Sequence, residues 1–267
     1  MTNSVSGSVQ SGQDTIQYQL TGTGEPLVLI HGMATDHRLW QPQLAAFSAD
    51  YQVISYDLRG FGDSSRPTEA YIAEDDLVAL LDHLKIDSAH ILGLSLGSSI
   101  ATRFALNYPK RCRSLTLAGP VLQGFGDAKD FMAGLKQVWG SAKEHGIDAA
   151  RKQWLNLPLF TGLSQTTEYG PLGLQMISDY DGWHWLNRDP ETWPEVMPAE
   201  RLTQISFPTL IITGDNEMPG LQRTGAFMQS QIPQASRVTI KAAGHVVNLE
   251  QPELFNSAIL EFLNQNF

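Results

Sequence analysis

The sequence predicts an α/β fold: a mostly parallel sheet flanked by helices, with a helical cap inserted between two sheet strands. Three observations carry this. Short apolar, β-branched runs alternate with helical spacing almost from end to end, the pattern of parallel strands joined by crossover helices. A serine between two glycines stands at a strand-to-helix junction, and the alternation stops after Pro120 and returns only near Ile205.

In chain order, residues 15–20 predict an antiparallel strand, and 27–30, 53–56, 89–92, 115–118, 209–213 and 237–240 predict buried strands. Helical spacing is clearest over 73–84, where Leu77, Leu80, Leu81 and Leu84 fall three and four residues apart. A second helix follows the serine over 96–107 and is stopped by Pro109, and a third runs over 252–263. The core is therefore 1–120 and 205–267, and 121–204 is the cap. Of the six tryptophans, Trp139, Trp154, Trp183, Trp185 and Trp193 lie in that segment. A cap here should cover the sheet's carboxyl edge, where open α/β sheets bind ligands. Trp139, Trp154, Trp183 and Trp185 are its candidates for lining an apolar pocket, the alternative being that they only glue the cap to the core.

Length and composition bound the function. The 267 residues suit one large domain with an insertion, and disorder is expected only within the first dozen. Eighteen basic against 28 acidic side chains give a net charge of −10, which opposes binding to nucleic acid or an anionic membrane. The expected partner is a small, neutral, partly apolar acyl substrate. Cys112 stands alone, which excludes an internal disulfide and fits a reducing compartment. The polar start lacks the basic and apolar regions of a signal peptide, and no apolar run approaches a membrane span, so a soluble, cytoplasmic protein is expected.

The chemistry concentrates at Gly93-Leu94-Ser95-Leu96-Gly97, between the strand 89–92 and the helix that follows. A serine in that G-x-S-x-G setting sits on a strained turn that lifts its hydroxyl out of the sheet to a helix N-terminus. Serine needs a base to become a nucleophile at neutral pH. His245, in Ala243-Gly244-His245-Val246 after the last strand, is placed for it at the carboxyl edge. His83 and His90 lie in or beside elements that would not reach that edge, while His145 and His184 belong to the cap. The loop after 209–213, Gly214-Asp215-Asn216-Glu217, offers two carboxylates to orient the imidazole. The amide of Leu96 should donate to an oxyanion.

With these motifs in this order, the chain resembles the α/β-hydrolase superfamily over nearly its full length. Gly244-His245-Val246-Val247-Asn248-Leu249-Glu250-Gln251-Pro252 is most similar to the enol-lactonase, haloperoxidase-like and small esterase branches. The resemblance implies the chain order serine, acid, histidine, with the acid three residues after the loop glycine. That selects Glu217, where the family more often has Asp, and leaves Asp215 as the alternative. The position some relatives use after 115–118 is Gly119-Pro120, without a carboxylate. His31-Gly32-Met33 resembles the family's oxyanion loop, which assigns the Met33 amide as second donor and His31 as a buttress. Asp57-Leu58-Arg59-Gly60-Phe61-Gly62-Asp63-Ser64 matches a further family loop in which Asp57 and Arg59 organise the turn.

The implied activity is hydrolysis of a carboxylic ester or lactone through an acyl-enzyme, with no metal or organic cofactor. Ser95 excludes the alkyl-enzyme esters that dehalogenases and epoxide hydrolases form on an aspartate. Two alternatives stand: carbon–carbon bond hydrolysis of a diketone-like ring-cleavage product, and a non-catalytic ligand receptor on the same fold.

Overall fold

The computed structural model describes residues 4–163 and 168–267. Eight strands form one sheet in the order β1-β2-β4-β3-β5-β6-β7-β8. They are β1 (Ser4–Ser11), β2 (Asp14–Thr21), β3 (Glu25–Ile30), β4 (Tyr51–Tyr56), β5 (Ala89–Leu94), β6 (Cys112–Ala118), β7 (Thr209–Gly214) and β8 (Ala235–Ile240). The pairs β1–β2 and β2–β4 are antiparallel, and every pair from β4–β3 to β7–β8 is parallel. Helices cover both faces of the central strands, which is why β5 and β7 are buried at every position and read as unbroken apolar runs.

The expected α/β class holds, and each expected strand is found within a few residues of its position. One expectation is corrected at the start of the chain. Ser4–Ser11 is an ordered strand, paired from Ser4↔Thr21 to Ser11↔Asp14. Its mostly exposed, polar residues carry little hydrophobic signal, so backbone pairing holds it, closed by a tight turn at Gly12 with φ 61°.

Helices α1 (Gln41–Phe47), α2 (Ala73–His83) and α3 (Leu96–Asn107) fall between the first strands. The long excursion between β6 and β7 contains α4 (Lys129–His145), α5 (Ile147–Leu155), α6 (Gly170–Asp179) and α7 (Trp183–Leu186). After β7 come α8 (Pro219–Gln231), the single turn α9 (Val247–Glu250) and α10 (Pro252–Asn266). The excursion is tied back to the core by a parallel bridge between Tyr71 and Glu191 and by Thr192 N–H donating to Tyr71 O at 2.7 Å. Ion pairs Arg38–Asp179 (2.9 Å), Arg103–Glu191 (2.5 Å) and Arg66–Asp181 cross the same boundary. Among the described residues no helix is long and apolar enough to cross a membrane.

The loop after β4 is fastened by its charges. Asp57 accepts from His37 N–H at 2.7 Å, His37 Nδ1 at 2.9 Å and Asp63 N–H at 3.0 Å. Arg59, only 4% exposed, joins Asp76 at 2.8 Å, Asp14, and the Ser11 carbonyl at 2.8 Å. This one guanidinium thereby links the β1–β2 hairpin, the loop and α2. Arg59→Leu strands two buried carboxylates without their partner, and a loss of about 3–5 kcal/mol is expected in urea unfolding.

Candidate active site

The turn from β5 into α3 is a point of severe backbone crowding. A Cβ on Gly93 would collide with the Gly97 carbonyl, and one on Gly97 with the carbonyls of Ile30 and His31. With both neighbours reduced to glycine, β5, α3 and the end of β3 approach closely and force Ser95 to φ 56°, ψ −114°. A non-glycine residue there is strained, and the strain aims its side chain away from the sheet. Ser95 N–H is held by Ala118 O of the neighbouring strand at 2.9 Å.

Two loops at the carboxyl ends of β7 and β8 bring the partners. His245 Nε2 lies 2.8 Å from Ser95 Oγ, and His245 Nδ1 lies 2.6 Å from Glu217 Oε2. An ionised carboxylate only accepts, so the imidazole carries its proton on Nδ1 and leaves Nε2 to accept the serine proton. All three residues are buried. The other oxygen of Glu217 accepts Met218 N–H at 2.8 Å, which fixes the carboxylate. Asp215 is exposed and turns to Ala243 N–H at 3.3 Å, so of the two candidate acids only Glu217 meets the histidine.

The oxyanion candidates fall beside the serine. Leu96 opens α3, so its amide has no intrahelical acceptor. A Cβ on Gly32 would stand 3.4 Å from Ser95 Cβ, which puts the His31-Gly32-Met33 turn against Ser95. Neither the Met33 nor the Leu96 N–H has a protein acceptor among the described residues. His31 Nδ1 donates to Gly32 O at 2.8 Å, and its Nε2 accepts Leu58 N–H at 3.0 Å. Complete burial pushes its pKa down, so His31 is a neutral brace between the two loops.

Ser95 opens into a mainly apolar cavity of about 490 Å³. Met33, Leu96, Trp139 and Trp154 line it, and so does Trp193, which is half exposed and stacks against Arg103 at 5.1 Å. Trp183 and Trp185 do not line it. Trp185 packs on Trp154 and Tyr180 inside the insertion, where it glues helices together, and Trp183 packs edge-on against His184. His184 does reach the cavity, stacked 4.2 Å from Phe61, with burial holding its pKa at about 4. His83 meets Tyr18, His90 meets Ser114 and His145 is exposed on α4, all away from Ser95. Burial pushes the Cys112 thiol up, which leaves it an inert core residue.

Sequence reasoning missed Glu250. This buried carboxylate accepts Gly244 N–H at 2.6 Å and Val246 N–H at 3.1 Å, the amides on either side of His245. Its signal lay in the motif containing His245, since a carboxylate one helical turn beyond a loop can reach back to that loop's free amides. Asp36, His37 and Asp57 gather potential metal donors within 4.8 Å, but these are engaged by Arg38, by Gln19 and by one another.

A family model described as "Alpha/beta hydrolase family" matches residues 27–258. The 3-oxoadipate enol-lactonase 1 of Acinetobacter baylyi is 28% identical, with 90% of each chain aligned. The 2-hydroxy-6-oxononadienedioate/2-hydroxy-6-oxononatrienedioate hydrolase of Burkholderia vietnamiensis is 30% identical over 94% of this chain and 91% of its own. The solved structure of a thermophilic esterase from Thermogutta terrifontis superposes with a TM-score of 0.79 at 26% identity, covering 98% of both chains.

Glu250→Gln puts an amide NH2 where one of the two loop N–H groups needs an acceptor. A loss of about 1–3 kcal/mol in denaturant unfolding is expected from that orphaned donor.

Proposed function

Because the chain belongs to the alpha/beta hydrolase family, we propose that it is a serine hydrolase cleaving a carboxylic ester or lactone through an acyl-enzyme. The observation that carries this reading is the hydrogen-bonded line Ser95–His245–Glu217 at 2.8 and 2.6 Å, set at the edge of an apolar cavity. Relatives named for lactone and ester hydrolysis support the same class.

In this mechanism Ser95 Oγ attacks the acyl carbonyl while its proton passes to His245 Nε2. Glu217 stabilises the imidazolium that forms and keeps the ring oriented. The tetrahedral oxyanion lies toward the Met33 and Leu96 amides, dipoles fixed before the charge develops. Collapse expels the alkoxide, which takes the proton from His245 and leaves an ester on Ser95. Water then enters, gives its proton to His245 and attacks the acyl carbon, and a second collapse returns the proton to Ser95. With a lactone, the alcohol freed by ring opening stays tethered to the acyl group, and the second step releases a single hydroxy acid. The cavity's apolar wall suits the acyl or alcohol chain, with Trp139 and Trp154 as contacts. Cytoplasmic residence belongs to the same reading and accords with a buried free thiol at Cys112.

Cleavage of a carbon–carbon bond is a second reading, favoured by the 30%-identical relative named for an oxo-dienedioate. A chromophoric ring-cleavage substrate turned over faster than any ester or lactone would select it. A receptor without turnover is the weaker alternative, because the serine has a hydrogen-bonded base; failure of a fluorophosphonate probe to label Ser95 would favour it.

On a panel of p-nitrophenyl esters and lactones, Ser95→Ala is expected to lower kcat about 10⁴-fold or more with the fold intact by circular dichroism. Full retained activity would sink the assignment. Glu217→Gln should cost about 10³–10⁴-fold in kcat. Asp215→Asn should stay within about twofold of the parent, as an exposed residue with one weak backbone contact.

A further inference from the structure

One wall of the catalytic cavity is charged, and its members bond to one another: Arg59, Tyr71, Asp76, Asp189 and Glu191. Most of that charge is already committed. Asp76 receives Arg59 Nε and Nη2, each at 2.8 Å, and Glu191 receives Arg103 at 2.5 Å. Arg59, the one Lys or Arg among the cavity's described lining residues, is spent on Asp76, Asp14 and Ser11, with its Cζ 4.6 Å from the centre of the Tyr71 ring.

Asp189 is different. Its carboxylate accepts Tyr71 O–H at 3.2 Å and Glu191 N–H at 3.1 Å, and no Lys or Arg pairs with it among the described residues. The nearest titratable base is His184, whose Nε2 is 3.6 Å away. That ring supplies no cation, because burial keeps its pKa near 4, and its Nδ1 is already hydrogen-bonded to Tyr180 Oη at 2.9 Å. Asp189 retains 29% side-chain exposure, so it is open to whatever fills the cavity. Burial raises its pKa despite the fields of Arg103 and Arg59, as expected of a carboxylate short of positive charge.

We propose that Asp189 is a specificity-determining residue that favours substrates carrying a protonated amine in the portion bound against this wall, and disfavours substrates carrying a carboxylate there. The reaction selected for rests on the serine-hydrolase reading; the charge preference rests on the wall alone. An ammonium group would give Asp189 the cation that the protein does not provide. A carboxylate would meet Asp76, Asp189 and Glu191, while Arg59 is spent on its own acids and Arg103, ion-paired with Glu74 and Glu191, does not line the cavity. In a partly desolvated cavity both effects are stronger than in water.

Three p-nitrophenyl esters of matched length test this at about pH 8: 6-aminohexanoate, heptanoate and the adipate half-ester, each kcat/KM referred to that of heptanoate. The parent enzyme is expected to prefer the amino over the carboxy ester by about tenfold or more, and Asp189→Asn to bring that ratio toward one. A ratio near one or inverted in the parent, or unchanged in Asp189→Asn, overturns the proposal. A turnover-free arm keeps the two readings separate. Calorimetry on Ser95→Ala should find hexylammonium bound about tenfold more tightly than hexanoate, with the difference lost when Asp189→Asn is added. Hydrolysis of heptanoate with no charge preference would leave the hydrolase reading and overturn this one. Ammonium preference in calorimetry with no ester turned over would do the reverse.

Discussion

Everything at the reactive edge depends on how closely β5, α3 and β3 approach one another. That closeness is possible because neither Gly93 nor Gly97 carries a Cβ, and it forces Ser95 into φ 56°, ψ −114°. A serine so held stores about 1–3 kcal/mol of backbone strain, sustained because the surrounding sheet over-determines the turn. The same approach sets the first amide of α3 beside Ser95 and brings the end of β3, with His31 and Gly32, against it. The Ser95 hydroxyl and the Met33 and Leu96 amides are thus placed by one packing constraint, fixed relative to each other before any ligand arrives.

Beyond that turn the site is made of loops, and loops have no ladder to satisfy their buried amides. Here side chains take over the task. Glu250 accepts the N–H groups on both sides of His245, Asp57 those of His37 and Asp63, Glu217 that of Met218, and His31 that of Leu58. Each removes backbone freedom beside a side chain of the candidate site, where a function of that kind would need positions held to within a fraction of an ångström. The acidic character of the chain is therefore not only a surface property, since much of it is buried where it fastens loops.

The sheet was legible because its strands are buried on both faces and stand out as apolar runs with local periodicity. Ser95, His245 and Glu217 were legible as strand-end residues in a fixed chain order, although their separations could only come from tertiary packing. The strand Ser4–Ser11 was not, because polar edge pairing leaves no hydrophobic trace. Trp183 and Trp185 could not be told from Trp139 and Trp154, since which face of a short helix meets a cavity depends on how the insertion folds back. Asp189 and Glu191 gave no signal for the same reason: their surroundings are set by Arg59, Tyr71 and Arg103, far away in sequence.

The excursion that carries Asp189 leaves from β6 and returns into β7, and these strands are direct neighbours, with Ala118 paired to Ile212. Gly119 N–H, the first step outward, is still anchored to Ile212 O at 2.9 Å. Both ends of the insertion are thus clamped by one strand pair, whatever lies between them. Closing a longer or shorter excursion on that clamp changes the chain entropy by only about 0.6 kcal/mol per doubling of length. The segment between β6 and β7 can therefore change in length with little effect on the strands that hold Ser95, His245 and Glu217.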